Sequence, residues 1–202
     1  IKWNADNIVI LVDNSPSVGQ NSYKEILSKI MNDNDLAGKE IQFSFFSNEL
    51  GQTTICENVD DVINIINKEK FEGNRTEQAL SSALIKLKSI EVSDKNKEST
   101  IMKTFTDENL QNVSLDMVNS FEEEALGKNT KADFYYVDKE NGLMQISQKE
   151  LKEAIEKRFL EDIQATLKNN INNKKKGIIY YSDKNKMNTI KKQLEDLSKA
   201  YD

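Results

Sequence analysis

A short polar segment, Asp13-Asn14-Ser15-Pro16-Ser17, places one carboxylate and two hydroxyls at alternate positions directly after an apolar run. The run, residues 8–12, is rich in β-branched types and is typical of a strand that is buried on both faces. Oxygen ligands of this kind suit a hard divalent cation such as Mg²⁺ rather than zinc or copper. In open α/β sheets, ligands bind where strands give way to helices. The segment therefore predicts a metal site at the end of the first strand.

Two further oxygen-bearing residues occupy comparable positions later in the chain. Thr76 follows Gly73 and precedes a stretch with apolar residues at helical spacing. Asp107 follows residues 100–106, which are typical of another strand. Both residues are candidates for the same site.

These features together, in this order, resemble the von Willebrand factor A domain. The metal-ion-dependent adhesion site of that family uses an Asp-x-Ser-x-Ser loop, a distant Thr and a distant Asp. The resemblance covers the whole chain. The matching residues form one candidate set of metal ligands: Asp13, Ser15, Ser17, Thr76 and Asp107.

The resemblance also implies a cofactor and a kind of partner. Mg²⁺ or Mn²⁺ would bind through the hydroxyls directly and through one or both Asp residues by way of water. Neutral ligands leave the ion with residual positive charge, and an octahedral ion keeps one position open for a carboxylate. The implied function is a protein-binding module for adhesion or assembly, not an enzyme, which captures an Asp or Glu of a partner protein.

Two residues depart from the family pattern. Pro16 and Glu108 stand where the family usually has Gly. Pro16 fixes φ and removes one N–H donor, so we expect a stiffer loop that is not broken. Glu108 adds a carboxylate that either weakens binding of an acidic partner by repulsion or points into solvent.

Strand and helix patterns alternate along the chain, which predicts an α/β fold with helices on both faces of a doubly wound, Rossmann-like, mostly parallel sheet. We expect six strands in the order 3-2-1-4-5-6, with the third strand antiparallel at an edge. This order makes strands one and four neighbours, so Asp13 and Asp107 meet at the switch point of the sheet. The predicted strands are residues 8–12, 41–45, 53–56, 100–106, 133–137 and 177–181.

The helical patterns carry further expectations. Asp60 or Asp61 is expected to cap a short helix, and Leu126 is expected on the apolar face of another. A long charged helix over residues 148–171 is predicted as a peripheral elaboration of one domain spanning residues 1–202, with its apolar stripe drifting around the helix. A final helix is predicted over residues 187–201.

Composition limits the possible functions. The chain has 202 residues, no His, a single Cys and a formal net charge of −6. The absence of His removes Ser-His-Asp and Cys-His catalysis, and the acidic balance argues against nucleic acid as the main partner. No apolar stretch reaches the roughly 20 residues of a membrane span. Both a cell-surface location, as part of a larger protein, and a cytoplasmic one are compatible with this sequence.

Two other functions remain open. A phosphohydrolase similar to haloacid dehalogenases would use Asp13 as nucleophile with Mg²⁺, but such enzymes normally need a second Asp as general acid where this chain has Ser15. A metal-independent interaction scaffold would use the Ser, Thr and Asp residues only to cap helices and turns.

Overall fold

The computed structural model describes residues 5–31, 36, 38–73, 79–91, 99–108, 110, 113–138, 142–172, 191–192 and 195–196. The chain divides into two compact units, Ile1–Lys152 and Glu153–Asp202. The first unit contains the whole described sheet. That residues 1–202 form one domain stays a prediction.

Six strands form one sheet in the order β3-β2-β1-β4-β5-β6. β1, β2, β4 and β5 pair in parallel, whereas β3 and β6 are antiparallel edge strands. The predicted fold class and strand order are therefore confirmed. The strands are β1 Asn7–Asp13, β2 Ile41–Phe46, β3 Thr54–Cys56, β4 Thr100–Thr106, β5 Thr130–Asp138 and β6 Gly142–Ser147.

Six helices accompany the strands in the described part of the chain. Their bounds are α1 Pro16–Asn21, α2 Tyr23–Met31, α3 Val59–Lys68, α4 Ala79–Ser89, α5 Leu115–Gly127 and α6 Gln148–Asn172. Within the described ranges, no helix combines the length and the apolar character that a membrane span requires.

The sixth strand of the described sheet is not the one that the sequence indicated. β6 forms a hairpin with β5, pairing Phe134 with Ile146 and Asp138 with Gly142. All side chains of β6 are half-buried or exposed, so the strand lacks the apolar run that marks a central strand. The predicted strand 177–181 and the predicted helix 187–201 fall outside the described residues, apart from residues 191–192 and 195–196.

Two local predictions are wrong. α3 is capped by Asn58, whose side chain accepts a hydrogen bond from the Asp61 N–H, so Asp61 occupies the third helical position. The Asp61 carboxylate accepts in return from the Glu57 N–H at 3.0 Å, which is close to the reciprocal pattern of a capping box. In α5, the Leu126 side chain is 83% exposed although its spacing placed it on the apolar face.

The core of the sheet holds the site loops in place. Ile8, Ile10 and Val12 of β1 belong to one buried cluster with Ile26 and Phe105. Alternate side chains of a strand point to opposite faces, so helices on both sides must cover β1. Because β1 is central and buried along its length, its last residue, Asp13, is fixed at the carboxyl edge of the sheet.

The predicted helix over residues 148–171 is observed as α6. Leu151 and Ile155 are buried, while Phe159, Ile163 and Leu167 are half-buried. Burial therefore decreases along these five positions of the helix. That α6 is a peripheral elaboration of the domain stays a prediction.

Candidate functional site

Three parallel strands end side by side at the edge that carries the candidate residues. β1 lies between β2 and β4, with Asp13 paired to Phe46 and Val12 paired to Phe105. The loops that follow the three strands therefore start at the same level of the sheet. This register places the segment after Asp13 next to the segment after Thr106.

Asp13 is held by hydrogen bonds to both carboxylate oxygens. Its Oδ1 accepts from the Ser15 backbone N–H at 2.8 Å, and its Oδ2 accepts from Thr106 Oγ1 at 2.7 Å. The side chain is 7% exposed. A carboxylate bound to the backbone two residues ahead fixes the turn that follows it. The orientation of Asp13 is therefore set from its own loop and from the neighbouring strand.

The electrostatic environment of Asp13 is set by burial, hydrogen bonds and a second carboxylate. Burial raises the pKa of Asp13 above its usual value, hydrogen bonds from Ser15 and Thr106 act in the opposite direction, and the charge of Asp107 raises the pKa further. The structure thus brings Asp13 and the half-buried Asp107 close enough to interact. A cation bound between them would relieve both the desolvation and the repulsion.

Ser15 and Ser17 present two buried hydroxyls to the same place. The Ser15 and Ser17 Oγ atoms are 3.1 Å apart, and the residues are 4% and 6% exposed. Adjacent ligands of an octahedral ion with bonds of about 2.1 Å lie about 3.0 Å apart. The spacing of this hydroxyl pair therefore fits two neighbouring Mg²⁺ ligands.

Ser15 occupies the N-cap position of α1, yet its side chain makes no capping hydrogen bond. Pro16 is the first helical residue, where its missing N–H would have had no partner inside the helix. Pro16 is thus accommodated at the start of α1, while the expected stiffening of the loop stays a prediction. The capping role that a metal-independent scaffold would assign to Ser15 is absent.

Glu108 is buried, so the expectation that it points into solvent is wrong. The residue is 6% exposed, its N–H donates to Thr106 Oγ1 at 3.1 Å, and its Oε2 accepts from the Ala79 N–H at 2.6 Å. The carboxylate therefore joins the loop after β4 to the start of α4. The alternative effect, repulsion of an acidic partner, stays a prediction.

Thr76 lies outside the described residues, but the chain just before it is tied to the site. The Gly73 N–H donates to the Asn14 carbonyl oxygen at 3.1 Å, and the Asn14 N–H donates to the Phe46 carbonyl oxygen at 2.9 Å. A Cβ atom on Gly73 would lie 2.3 Å from Asn14 Oδ1 and 2.9 Å from Ser47 Cβ. A residue with a Cβ at this position would therefore displace the Asn14 and Ser47 side chains.

Sequence reasoning did not identify Thr106, Asn14 or Ala79 as parts of this arrangement. Thr106 ends a strand in which every residue is buried, so its hydroxyl gives no separate signal in the sequence. The buried Asn14 Oδ1 has no hydrogen-bond partner in the described part of the chain. Ala79 contributes only its backbone N–H, which no side-chain pattern reveals.

Among the described residues, no three or more acidic or cysteine side chains gather where they could hold a metal ion. An ion at this edge would therefore depend on hydroxyl and water oxygens in addition to Asp13 and Asp107. This donor set is hard and largely neutral, which fits Mg²⁺ or Mn²⁺ and does not fit a soft transition metal.

No protein-family model and no curated protein matches the chain. The solved structures similar to it include the conserved hypothetical protein BatB from Bacteroides thetaiotaomicron, and an aerotolerance-related membrane protein from Bacteroides fragilis NCTC 9343 with multiple mutations to serines. Each is 9% identical with a TM-score of 0.46, covering 96% of this chain and 98% of the other. Similarity of this size identifies neither the family nor the function of the chain.

Proposed function

We propose that this protein is a divalent-metal-dependent protein-binding module of the von Willebrand factor A type. The observation that carries the proposal is the environment of the Ser15 hydroxyl. Its buried hydroxyl caps no helix and lies 3.1 Å from the Ser17 hydroxyl, beside the Asp13 carboxylate. The two hydroxyls are hydrogen-bonded to each other, and this separation holds their oxygens where two neighbouring ligands of an octahedral ion would lie.

The residues of the site divide into two roles under this proposal. Ser15 and Ser17, together with Thr76, offer neutral oxygens, while Asp13 and Asp107 supply negative charge at the edge of the sheet. When bound, Mg²⁺ or Mn²⁺ would supply an electropositive centre with one open position. The site then binds an Asp or Glu side chain of another protein.

The proposed function requires no reaction. Each carboxylate oxygen of Asp13 accepts a hydrogen bond, Oδ1 from the Ser15 N–H and Oδ2 from Thr106 Oγ1. A carboxylate fixed by these bonds suits contact with an ion through a water molecule. A nucleophilic carboxylate would need one oxygen directed at the substrate, with a general acid within reach.

A selection experiment tests the partner chemistry with displayed peptides in place of a natural partner. Peptides that carry a central Glu are displayed next to matched peptides that carry Gln, and binding to the full chain is measured in Mg²⁺ and in EDTA. We expect enrichment of Glu peptides over Gln peptides in Mg²⁺ and loss of that enrichment in EDTA. Equal enrichment in both buffers would contradict a metal-bridged contact.

A matched pair of variants controls the experiment. Ser15→Ala deletes a proposed ligand, whereas Ser22→Ala deletes another buried hydroxyl, one that has no hydrogen-bond partner among the described residues. Both changes remove the same atom from a buried serine. Only Ser15→Ala is expected to abolish the preference for Glu.

A further inference from the structure

Glu108 places a buried carboxylate one residue after the candidate ligand Asp107. Its Oε2 accepts a 2.6 Å hydrogen bond from the Ala79 N–H, which belongs to the first described residue of α4. The first N–H groups of a helix have no acceptor within the helix, and negative charge near them is favourable. Glu108, which lies on the loop after β4, thus provides the hydrogen-bond acceptor that a capping side chain next to the helix would otherwise provide.

The same residue is also connected to Asp13. The Glu108 N–H donates to Thr106 Oγ1 at 3.1 Å, and Thr106 Oγ1 donates to Asp13 Oδ2 at 2.7 Å. All of these side chains are buried, since Asp13, Thr106 and Glu108 are at most 7% exposed. Hydrogen bonds in such surroundings polarise one another and are costly to break.

A continuous path therefore runs from Asp13 through Thr106 and Glu108 to Ala79. It crosses from β1 to the end of β4 and then to α4. The first turn of α4 continues into the core, because Ala79, Leu80 and Ala83 are buried. The two ends of this path are therefore a buried central strand and a packed helix.

We propose that Glu108 is a positioning residue that couples the state of Asp13 to the start of α4. The effect of this coupling on binding rests on the proposed function, because a cation bound at the site would change the interactions of Asp13. Regulation would then act in both directions: a partner bound to α4 would alter metal affinity by the factor by which metal alters partner affinity.

The test begins with the metal-free full chain, so that it does not depend on the proposed function. Amide hydrogen exchange and the ¹⁵N–¹H resonance of Ala79 are measured by NMR in the wild type, Glu108→Gln, Glu108→Ala and Thr106→Val. Thr104→Val is the matched control, because Thr104 lies on the same strand and its buried hydroxyl has no partner among the described residues.

We expect Glu108→Ala to speed exchange of the Ala79 amide roughly 10- to 100-fold, as loss of a hydrogen bond to a charged acceptor implies. Glu108→Gln keeps an acceptor oxygen and should retain most of the protection. Thr106→Val should shift the Ala79 resonance, and this shift should disappear in the Glu108→Ala background. Thr104→Val should leave the resonance in place.

Unchanged exchange of Ala79 in Glu108→Ala would overturn the proposal. An effect of Thr106→Val that persists without the Glu108 carboxylate would also overturn it, since the path would then bypass Glu108. Mg²⁺ is added in a second arm, where the wild-type Ala79 resonance should move and that of Glu108→Ala should move less. If the wild type binds no Mg²⁺, the proposed function fails while the metal-free comparison still decides the role of Glu108.

Discussion

Thr106 Oγ1 donates a 2.7 Å hydrogen bond to Asp13 Oδ2, which joins the ends of two neighbouring parallel strands through their side chains. The bond holds a carboxylate whose burial and whose interaction with Asp107 both disfavour its charged form. Asp13 is therefore held in one orientation although burial and repulsion from Asp107 disfavour its charge, and a bound cation would offset both unfavourable contributions.

Thr106→Val should lower the free energy of unfolding by about 1.5–3 kcal/mol, the range for a buried hydrogen bond to a charged group. Thr104→Val removes a buried hydroxyl without a partner in the described part of the chain and should be neutral or stabilising. Chemical denaturation of both variants measures the difference. Equal effects of the two substitutions would show that the Thr106–Asp13 bond contributes nothing.

In the metal-free protein, the stability of Asp13→Asn relative to the wild type should increase as pH rises. Because burial raises the pKa of Asp13, the folded state binds a proton more tightly than the unfolded state. The free energy of unfolding therefore falls as pH rises through the usual value of 3.8, and the loss is complete above the raised pKa of the folded state. The Asn side chain of the variant does not titrate, so its stability does not fall for this reason.

Denaturation of the wild type and Asp13→Asn at several values from about pH 3 to pH 7 tests the sign. The stability of the variant relative to the wild type should increase across this range. Asp133, whose pKa burial also raises, is present in both proteins and cancels. A difference that does not vary with pH would contradict the prediction.

Gly73→Ala should destabilise the fold by about 1–3 kcal/mol, the usual cost of overpacking. The added Cβ would lie 2.3 Å from Asn14 Oδ1 and 2.9 Å from Ser47 Cβ, so both side chains must move away from residue 73. Gly127→Ala at the end of α5 is the control, since nothing lies within 4 Å of its Cβ position. That substitution should be neutral or stabilising, and thermal unfolding distinguishes the two.

The phosphohydrolase alternative predicts turnover of a simple phosphate ester in Mg²⁺. We expect no hydrolysis of p-nitrophenyl phosphate by the full chain above that of the Asp13→Asn variant. The reason is that position 15, where the general acid would stand, is occupied by Ser15. Activity that disappears in Asp13→Asn would favour the enzyme over the binding module.

The fold class could be predicted because alternating apolar strands and amphipathic helices are typical of a mostly parallel sheet, and the observed order is a common one for doubly wound sheets. β4 was predicted with its observed bounds, Thr100–Thr106, and every residue in it is buried. β6 was missed because its half-buried side chains give neither an apolar run nor clean alternation. An edge strand of this kind is identified by its backbone hydrogen bonds to the neighbouring strand, which cannot be read from the sequence.

The candidate site was predictable only in part, for a similar reason. Asp13, Ser15 and Ser17 share one loop, so their spacing is visible in the sequence, and the structure brings them together. Thr106 and Glu108 act through contacts with residues far away in the chain. Their roles depend on which strands become neighbours, and burial of Glu108 could not be inferred from its charge.

Calorimetric titration of the full chain with Mg²⁺ and Mn²⁺ decides whether the loop after β1 binds a metal ion. We expect weak one-to-one binding to the wild type, loss of binding in Ser15→Ala and Ser17→Ala, and unchanged binding in Ser22→Ala. The reason is that the Ser15 and Ser17 hydroxyls, 3.1 Å apart, fit two ligand positions of an octahedral ion, whereas the Ser22 hydroxyl has no partner among the described residues. Binding of equal strength in Ser15→Ala, or no binding to the wild type at all, would contradict the metal site.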